Sequence, residues 1–288
     1  MTEDPFVTHR SLLFTVAYEL LGSAADAEDV VQESWLRWAG IDRSQVHDPR
    51  AYLVRTVSRQ ALNRLRTLSR SREEYVGEWL PEPLLTSPDV AEDVELAENV
   101  SIAMLTVLET LGPTERAVFV LREVFELPYG EIAEATGKSA AAVRQIARRA
   151  RSHVAARRPR VRVSPSEQRA VVDRFLLALR TGQLQELMQL LAPDVVMIAD
   201  GGGQVAAALA PIHGAEVVAK LLAGAQRRSA QLATAAVWLN GGPACRIDFD
   251  GEPAAVSLTS MGGRITRIYV VRNPQKLTRL DTPADLAR

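Results

Sequence analysis

The sequence predicts a multidomain chain in which two all-α domains are followed by an α+β domain. Three observations carry this. A length of 288 residues exceeds one ordinary domain. Apolar residues recur at three- and four-residue steps as far as Val154, with one proline-bearing interruption. Beyond Ser166, two helical patterns give way to a series of strand-like runs, an order that argues for α+β rather than a doubly wound sheet.

The first domain is assigned to residues 1–75. Phe6, Leu13, Val16, Ala17, Leu20 and Leu21 lie on one helical face, Gly22 supplies a stop and Ser23 a cap for the next helix. In AADAEDVVQESWLRWAG the pattern turns Val30, Val31, Leu36 and Trp38 inward. Asp26, Glu28, Asp29, Gln32 and Glu33 crowd the first turns, where carboxylates suit the helix dipole. After His47-Asp48-Pro49 comes RAYLVRTVSRQALNRLR, basic throughout, with Leu53, Val57, Leu62 and Leu65 expected in the core.

Residues 76–98 read as a linker, since Pro81, Pro83 and Pro88 forbid a continuous helix. Within it WLPEPL, residues 79–84, is apolar where a linker should be polar. Two prolines fix an extended course at low entropic cost, so Trp79, Leu80 and Leu84 can form a preformed docking strip. The expected seat is the DGGG loop (200–203) or the NPQKL tail (273–277).

Residues 99–157 form the second helical domain, and YGEIAEATGKSAAAVRQIARRARSHV carries its chemistry. A helix-turn-helix needs a small residue where its helices cross, a turn residue tolerant of positive φ, and a shared apolar core. Ala133, Gly137 and the trio Ile132, Val143 and Ile146 meet these needs, and Ser139 caps the second helix. That helix leaves Arg144, Gln145, Arg148, Arg149 and Arg151 outward, the donor types that major-groove edges and phosphates require. A basic run at Arg157, Arg158, Arg160 and Arg162 adds unspecific phosphate attraction.

After a second linker, 158–166, the α+β domain occupies 167–280 and a tail 281–288. Asp200 at a strand end and His213 beyond it are the acid-base candidates there. The glycines at 201–203 read more simply as room for close approach by another segment. Overall charge nearly cancels, with 34 Lys and Arg against 35 Asp and Glu, so only local asymmetry points to a polyanion. One cysteine, Cys245, excludes an internal disulfide or a cysteine-rich zinc site and fits a cytoplasmic setting. No secretion signal or membrane span is expected, and no cofactor or metal.

Three segments in order resemble the extracytoplasmic-function (ECF) sigma factors of bacterial RNA polymerase. DAEDVVQESWLRW (26–38) is similar to region 2.2, DPRAYLVRTVSRQALNRLR (48–66) to regions 2.3 and 2.4, and residues 111–151 to region 4. WLPEPL, DGGG and NPQKL look like the signatures of the subgroup that ends in a SnoaL-like, cone-shaped domain, with Gln275 standing where the last motif usually has an acid. The resemblance implies a region 2 bundle, a region 4 helix-turn-helix and a regulatory, non-catalytic third domain. It implies docking of Asp26, Glu28, Asp29, Val30, Gln32 and Glu33 on the β′ clamp of core polymerase, with the β flap as a further partner. It implies −10 contacts through Arg55, Arg59, Asn63, Arg64 and Arg66, and −35 contacts through Ser139, Arg144, Gln145, Arg148 and Arg149. Regulatory contacts are expected at Trp79, Leu80, Pro81, Glu82, Pro83 and Leu84, at Asp200, Gly201, Gly202 and Gly203, and at Asn273, Pro274, Lys276 and Leu277.

Two other readings fit the same residues. One is a helix-turn-helix regulator with a sensor domain for a small ligand, for which polymerase would be dispensable. The other is a cyclase or isomerase fused to a DNA-binding module, for which turnover would vanish on Asp200→Asn.

Overall fold

The computed structural model describes residues 4–157 and 163–288 and divides the chain into two units. One unit gathers residues 1–74, 104–158 and 285–288; the other gathers 75–103 and 159–284.

The first unit is helical. Short α1 (Pro5–Thr8) leads into α2 (Arg10–Leu21), α3 (Ala24–Ala39) and α4 (Pro49–Glu73). Gly22 ends α2 in the left-handed region at φ 65°, and the Ser23 hydroxyl accepts the Asp26 N–H to cap α3. Ala24, Ala27, Val30, Val31, Ser34 and Trp38 form the buried stripe of α3. One expectation changes here. Leu36 is exposed at 66%, whereas Val30 is buried at 2%, as its place in the apolar pattern requires. Trp38 and Val31 set the phase of the helix, and 100° per residue then carries Leu36 off the core.

In the same unit, α7 (Pro113–Phe119) continues through a π turn at Val120–Val124 to α8 (Tyr129–Thr136) and α9 (Ala140–Arg157). α8 and α9 are the expected helix-turn-helix. Gly137 takes φ 67° at the turn, and Ile132, Ala133, Val143, Ala147, Ala150 and Val154 fill the core. Of the basic run, Arg157 lies at the end of α9, while Arg158, Arg160 and Arg162 lie outside the described residues.

The second unit is α+β. Helices α10 (Pro165–Thr181), α11 (Leu184–Leu190) and α12 (Ala215–Arg228) accompany one mixed six-stranded sheet in the order β2-β1-β6-β5-β4-β3. Its strands are β1 (Leu191–Asp200), β2 (Ile212–His213), β3 (Leu232–Leu239), β4 (Gly242–Phe249), β5 (Glu252–Met261) and β6 (Arg264–Val271). β1 and β6, second and third in the order, run parallel, and every other neighbouring pair is antiparallel. Asn240-Gly241, Asp250-Gly251 and Gly262-Gly263 make the hairpin turns from β3 to β6, all with positive φ. Two-residue loops of this kind match the right-handed twist of the strands they join.

Strand alternation gives the sheet two covered faces. Met197, Ala199, Val256, Leu258, Ile268 and Val270 pack with Val172, Phe175, Val218 and Leu222 of the helices. Ile198, Ala255, Tyr269 and Val271 point the other way, into a core completed by Leu80, Ile102, Leu277 and Leu280. Segment 75–103, which contains the linker read from the sequence at 76–98, thus supplies the cover for the second face of this sheet. It contains α5 (Val94–Val100), and α6 (Ile102–Leu108) begins at its end. No helix among the described residues is long and apolar enough to cross a membrane.

Candidate functional site

WLPEPL runs alongside the sheet of the second unit and leads into an isolated bridge at Leu85. The Leu84 carbonyl accepts from Asn240 N–H at 2.9 Å, and the Thr86 N–H donates to the Trp238 carbonyl at 3.0 Å. Leu85 bridges Leu239 in antiparallel fashion, so the segment covers the end of edge strand β3. The Asn240 side chain sits at the adjoining turn and works in both directions. Its amide oxygen accepts from Leu84 N–H at 3.0 Å, and its amide nitrogen donates to the Val100 carbonyl at 2.9 Å. Leu80 and Leu84 are fully buried, and Pro81, Glu82 and Pro83 are buried with them.

Asp200 is the centre of the polar part. It lies at the end of β1 with 0% exposure, and four donors reach its carboxylate. Lys276 Nζ stands at 2.7 Å, the Tyr75 hydroxyl at 2.6 Å, the Leu80 N–H at 2.9 Å and the Gly202 N–H at 3.0 Å. Four donors give a carboxylate buried away from water the hydrogen bonds that burial would otherwise cost it. Lys276 also donates to the Leu80 carbonyl at 2.6 Å, and its ammonium lies 3.9 Å from the Trp79 ring centroid and 5.0 Å from that of Tyr75. Asn273 donates to the Tyr75 hydroxyl at 2.8 Å. Burial, and then the bond to Asp200, push the Tyr75 phenol above its ordinary value, so it remains a donor.

The glycine run is needed for this packing. A Cβ on Gly202 would stand 2.3 Å from Asn273 Nδ2 and 3.0 Å from the Tyr75 hydroxyl, and one on Gly201 would stand 2.4 Å from the Val205 carbonyl oxygen. Pro274 opens a short 3₁₀ turn, Pro274–Lys276, whose cap is the Asn273 side chain accepting from Gln275 N–H. Gln275 contributes this backbone group while its side chain is exposed. Leu277 closes the turn and packs into the second core. His213, the other acid-base candidate, is exposed on β2, and Cys245 is buried with its thiol pushed up to about 12 by desolvation.

The charged faces of the helical unit have their own partners. Arg64 donates to Asp26 at 2.8 Å and Asp29 at 3.2 Å, and Arg10 donates to Glu28 at 2.7 Å. Arg55 stands 3.8 Å from Glu131 of α8, and Arg59 donates to the Glu134 carbonyl at 3.2 Å. Gln32, Glu33, Asn63 and Arg66 are exposed, the last two joined by a long 3.4 Å bond. Val30, expected in the same face, is buried at 2%. On α9, Arg144, Gln145, Arg148 and Arg149 are all exposed, and Ser139 accepts from Ala142 N–H at the N-cap.

This architecture has clear likenesses among known proteins. Residues 6–71 match the Sigma-70 region 2 model, and residues 101–154 match the Sigma-70 region 4 model. The ECF RNA polymerase sigma factor SigJ of Mycobacterium tuberculosis is 36% identical over 96% of this chain and 94% of its own length. The chain belongs to the ECF sigma factors. A probable ECF sigma factor, SigI, from the same species is 32% identical over 94% of this chain and 93% of that one. The crystal structure of M. tuberculosis SigJ superposes with a TM-score of 0.77 at 35% identity, covering 95% of this chain and 97% of that one. This sigma factor therefore pairs region 2 and region 4 with a C-terminal SnoaL-like domain, and directs promoter-dependent initiation with core RNA polymerase and promoter DNA as partners.

Sequence reading missed several residues of the sigma factor's polar interior. Tyr75 and Asn240 escaped because each is bound to residues more than a hundred positions away. Arg116 of α7 also escaped. It is 1% exposed and donates twice to the Glu19 carbonyl, at 3.1 and 2.9 Å. Arg116 and Arg72 share the Glu109 carboxylate, and Arg72 reaches the Leu21 carbonyl at 2.6 Å. Glu19 and Leu21 lie in the last turn of α2, where carbonyls lack partners within the helix and attract cations. The only local hint was an arginine following a Pro-Thr-Glu helix start.

Proposed function

We propose that the SnoaL-like domain of this sigma factor regulates transcription in cis by fixing the WLPEPL segment, and that it does so as a binding platform rather than as an enzyme. The observation that carries this reading is the Asp200 carboxylate, whose four donors include the Tyr75 hydroxyl and the Leu80 N–H of the linker. An acid saturated by its own chain has no lone pair left to take a substrate proton. The segment 75–103 connects region 2 to region 4, so a domain that immobilises it sets how far the end of one region can depart from the start of the other.

The same reading assigns roles to the charged faces. The face of Asp26, Glu28, Asp29, Gln32 and Glu33 docks on the β′ clamp, region 4 meets the β flap, Arg144, Gln145, Arg148 and Arg149 read the −35 element, and Arg55, Arg59, Asn63, Arg64 and Arg66 serve the −10 element. In the free chain Arg55 and Arg59 are engaged by region 4, and Arg64 by Asp26 and Asp29, so binding polymerase and melting DNA requires exchanging these partners. Acidic steering of this kind acts more on association rate and register than on final affinity. The protein works in the cytoplasm, where polymerase and promoters are.

Run-off transcription with core polymerase and cognate promoter DNA tests the proposal. The full chain is compared with one cut near Pro165, one cut after Val271 and a Trp79→Ala, Leu84→Ala chain. The double substitution should reproduce the activity of the chain lacking the SnoaL-like domain. Wild-type regulation in the double variant would refute linker docking as the route, and turnover abolished by Asp200→Asn would refute the non-catalytic role.

A further inference from the structure

The last four residues of the chain, Asp285–Arg288, belong to the helical unit rather than to the α+β unit that precedes them. They follow α2 of region 2. The Ser11 hydroxyl donates to the Asp285 carboxylate at 2.5 Å, and the Ala287 N–H donates to the Thr15 hydroxyl at 3.1 Å. Leu286, between them, is 7% exposed, although its neighbours are exposed or half-buried. Thr15 is itself fully buried, and its hydroxyl donates to the Ser11 carbonyl at 2.8 Å. The register has a geometric basis. Ser11 to Thr15 advances about 6 Å along a helix, and Asp285 to Ala287 advances about 6.6 Å along an extended chain, so the two repeats coincide.

We propose that the Ser11–Thr15 face of α2 is a docking site for a short extended peptide with an acid, a buried leucine and a free N–H at successive positions, and that the chain's own residues 285–288 occupy it. This goes beyond the Asp200 platform, because it involves neither the linker nor the signature motifs. α2 is a shared seat. The tail lies on Ser11 and Thr15, and Arg116 of region 4 is bound one turn further on at the Glu19 carbonyl. Holding α2 in place from one side favours the seat used from the other, so the tail supports the packing of region 4 on region 2 and its release loosens that packing.

Hydrogen exchange on the full chain, on a chain ending at Ala284, on Leu286→Asp and on a control, Thr282→Ala, reads this directly. The truncation and Leu286→Asp should accelerate exchange in α2 and α7 by about tenfold or more while leaving β5 and β6 protected. Thr282→Ala, exposed in the full chain, should not. The peptide TPADLAR added to the truncated chain should restore protection with a Kd at or below about 1 mM, because a tail that is docked in cis at an effective concentration of that scale must bind at least that tightly. The same peptide should fail on a truncated chain carrying Thr15→Val. Unchanged exchange in both tail variants, or no binding of the peptide at several times that concentration, would overturn the proposal. Faster exchange confined to α2, with α7 unaffected, would overturn its link to region 4.

Discussion

Two buried carboxylates, one in each unit, are solved in opposite ways. Asp200 has four donors on its carboxylate, one of them an ammonium 2.7 Å away. Glu19, just as fully buried, has no hydrogen-bond partner on either carboxylate oxygen among the described residues, because Arg116 binds its backbone carbonyl instead. Burial then dominates over the nearby guanidinium and raises the Glu19 carboxyl to about 8. The lesson is that burial alone does not mark a structural acid. Asp200 is a charged tie built to last, whereas Glu19 is held by a proton and costs free energy whenever that proton leaves.

Removing the ammonium should make Asp200 behave like Glu19. Lys276→Met is expected to destabilise the α+β unit by about 3–5 kcal/mol in thermal unfolding, the usual cost of leaving a buried charge without its partner. Adding Asp200→Asn should recover part of the loss, and a purely additive double variant would show that the two groups are not coupled.

The converse change removes the cost at Glu19. Its folded value lies above the unfolded one, so the chain takes up a proton on folding between the two. The stability this contributes is complete below the ordinary carboxylate value and is lost as pH rises through about 8. Glu19→Gln should flatten that slope and gain on the order of 1–3 kcal/mol at pH 9 relative to the parent, by urea unfolding of the helical unit. Equal pH profiles for parent and variant would show that Glu19 stays ionised.

Tyr75→Phe tests a single strand of the Asp200 tie. Loss of one donor to the carboxylate and one acceptor for Asn273 should cost about 1–2 kcal/mol, less than Lys276→Met because the charge remains paired. Smallest of all is Gln275→Asp. The side chain is exposed and the turn uses only its N–H, so a change within about 0.5 kcal/mol is expected, and a larger one would place that position inside the tie.

What was legible in the sequence was local. Ala133, Gly137 and Ser139 prescribe the helix-turn-helix because crossing, turn and cap each admit few residue types. The apolar strip at WLPEPL and the glycines at 201–203 announced a close approach, since both are costly unless another segment arrives. The charge partners were not legible. Arg55, Arg59 and Arg64 read as basic candidates for the −10 element, some of which had to pair within the domain, but which partners they take was hidden, because Glu131, Glu134 and Asp26 are brought to them by tertiary packing that no local pattern encodes. Leu36 was read inward and is exposed because it lies beyond the edge of the stripe set by Val31 and Trp38, where a small error in helical phase decides burial.

The link between Lys276 and Leu80 spans 196 positions. At the usual pace of about 5–20 residues per second, a ribosome that has just made Leu80 needs roughly 10 to 40 s to reach Lys276. Both helical regions are complete well within that interval, while Trp79, Leu80 and Leu84 have nothing to lie on. Every new copy of this sigma factor therefore passes through a youth in which its linker is greasy and uncommitted, before its own third domain exists to claim it.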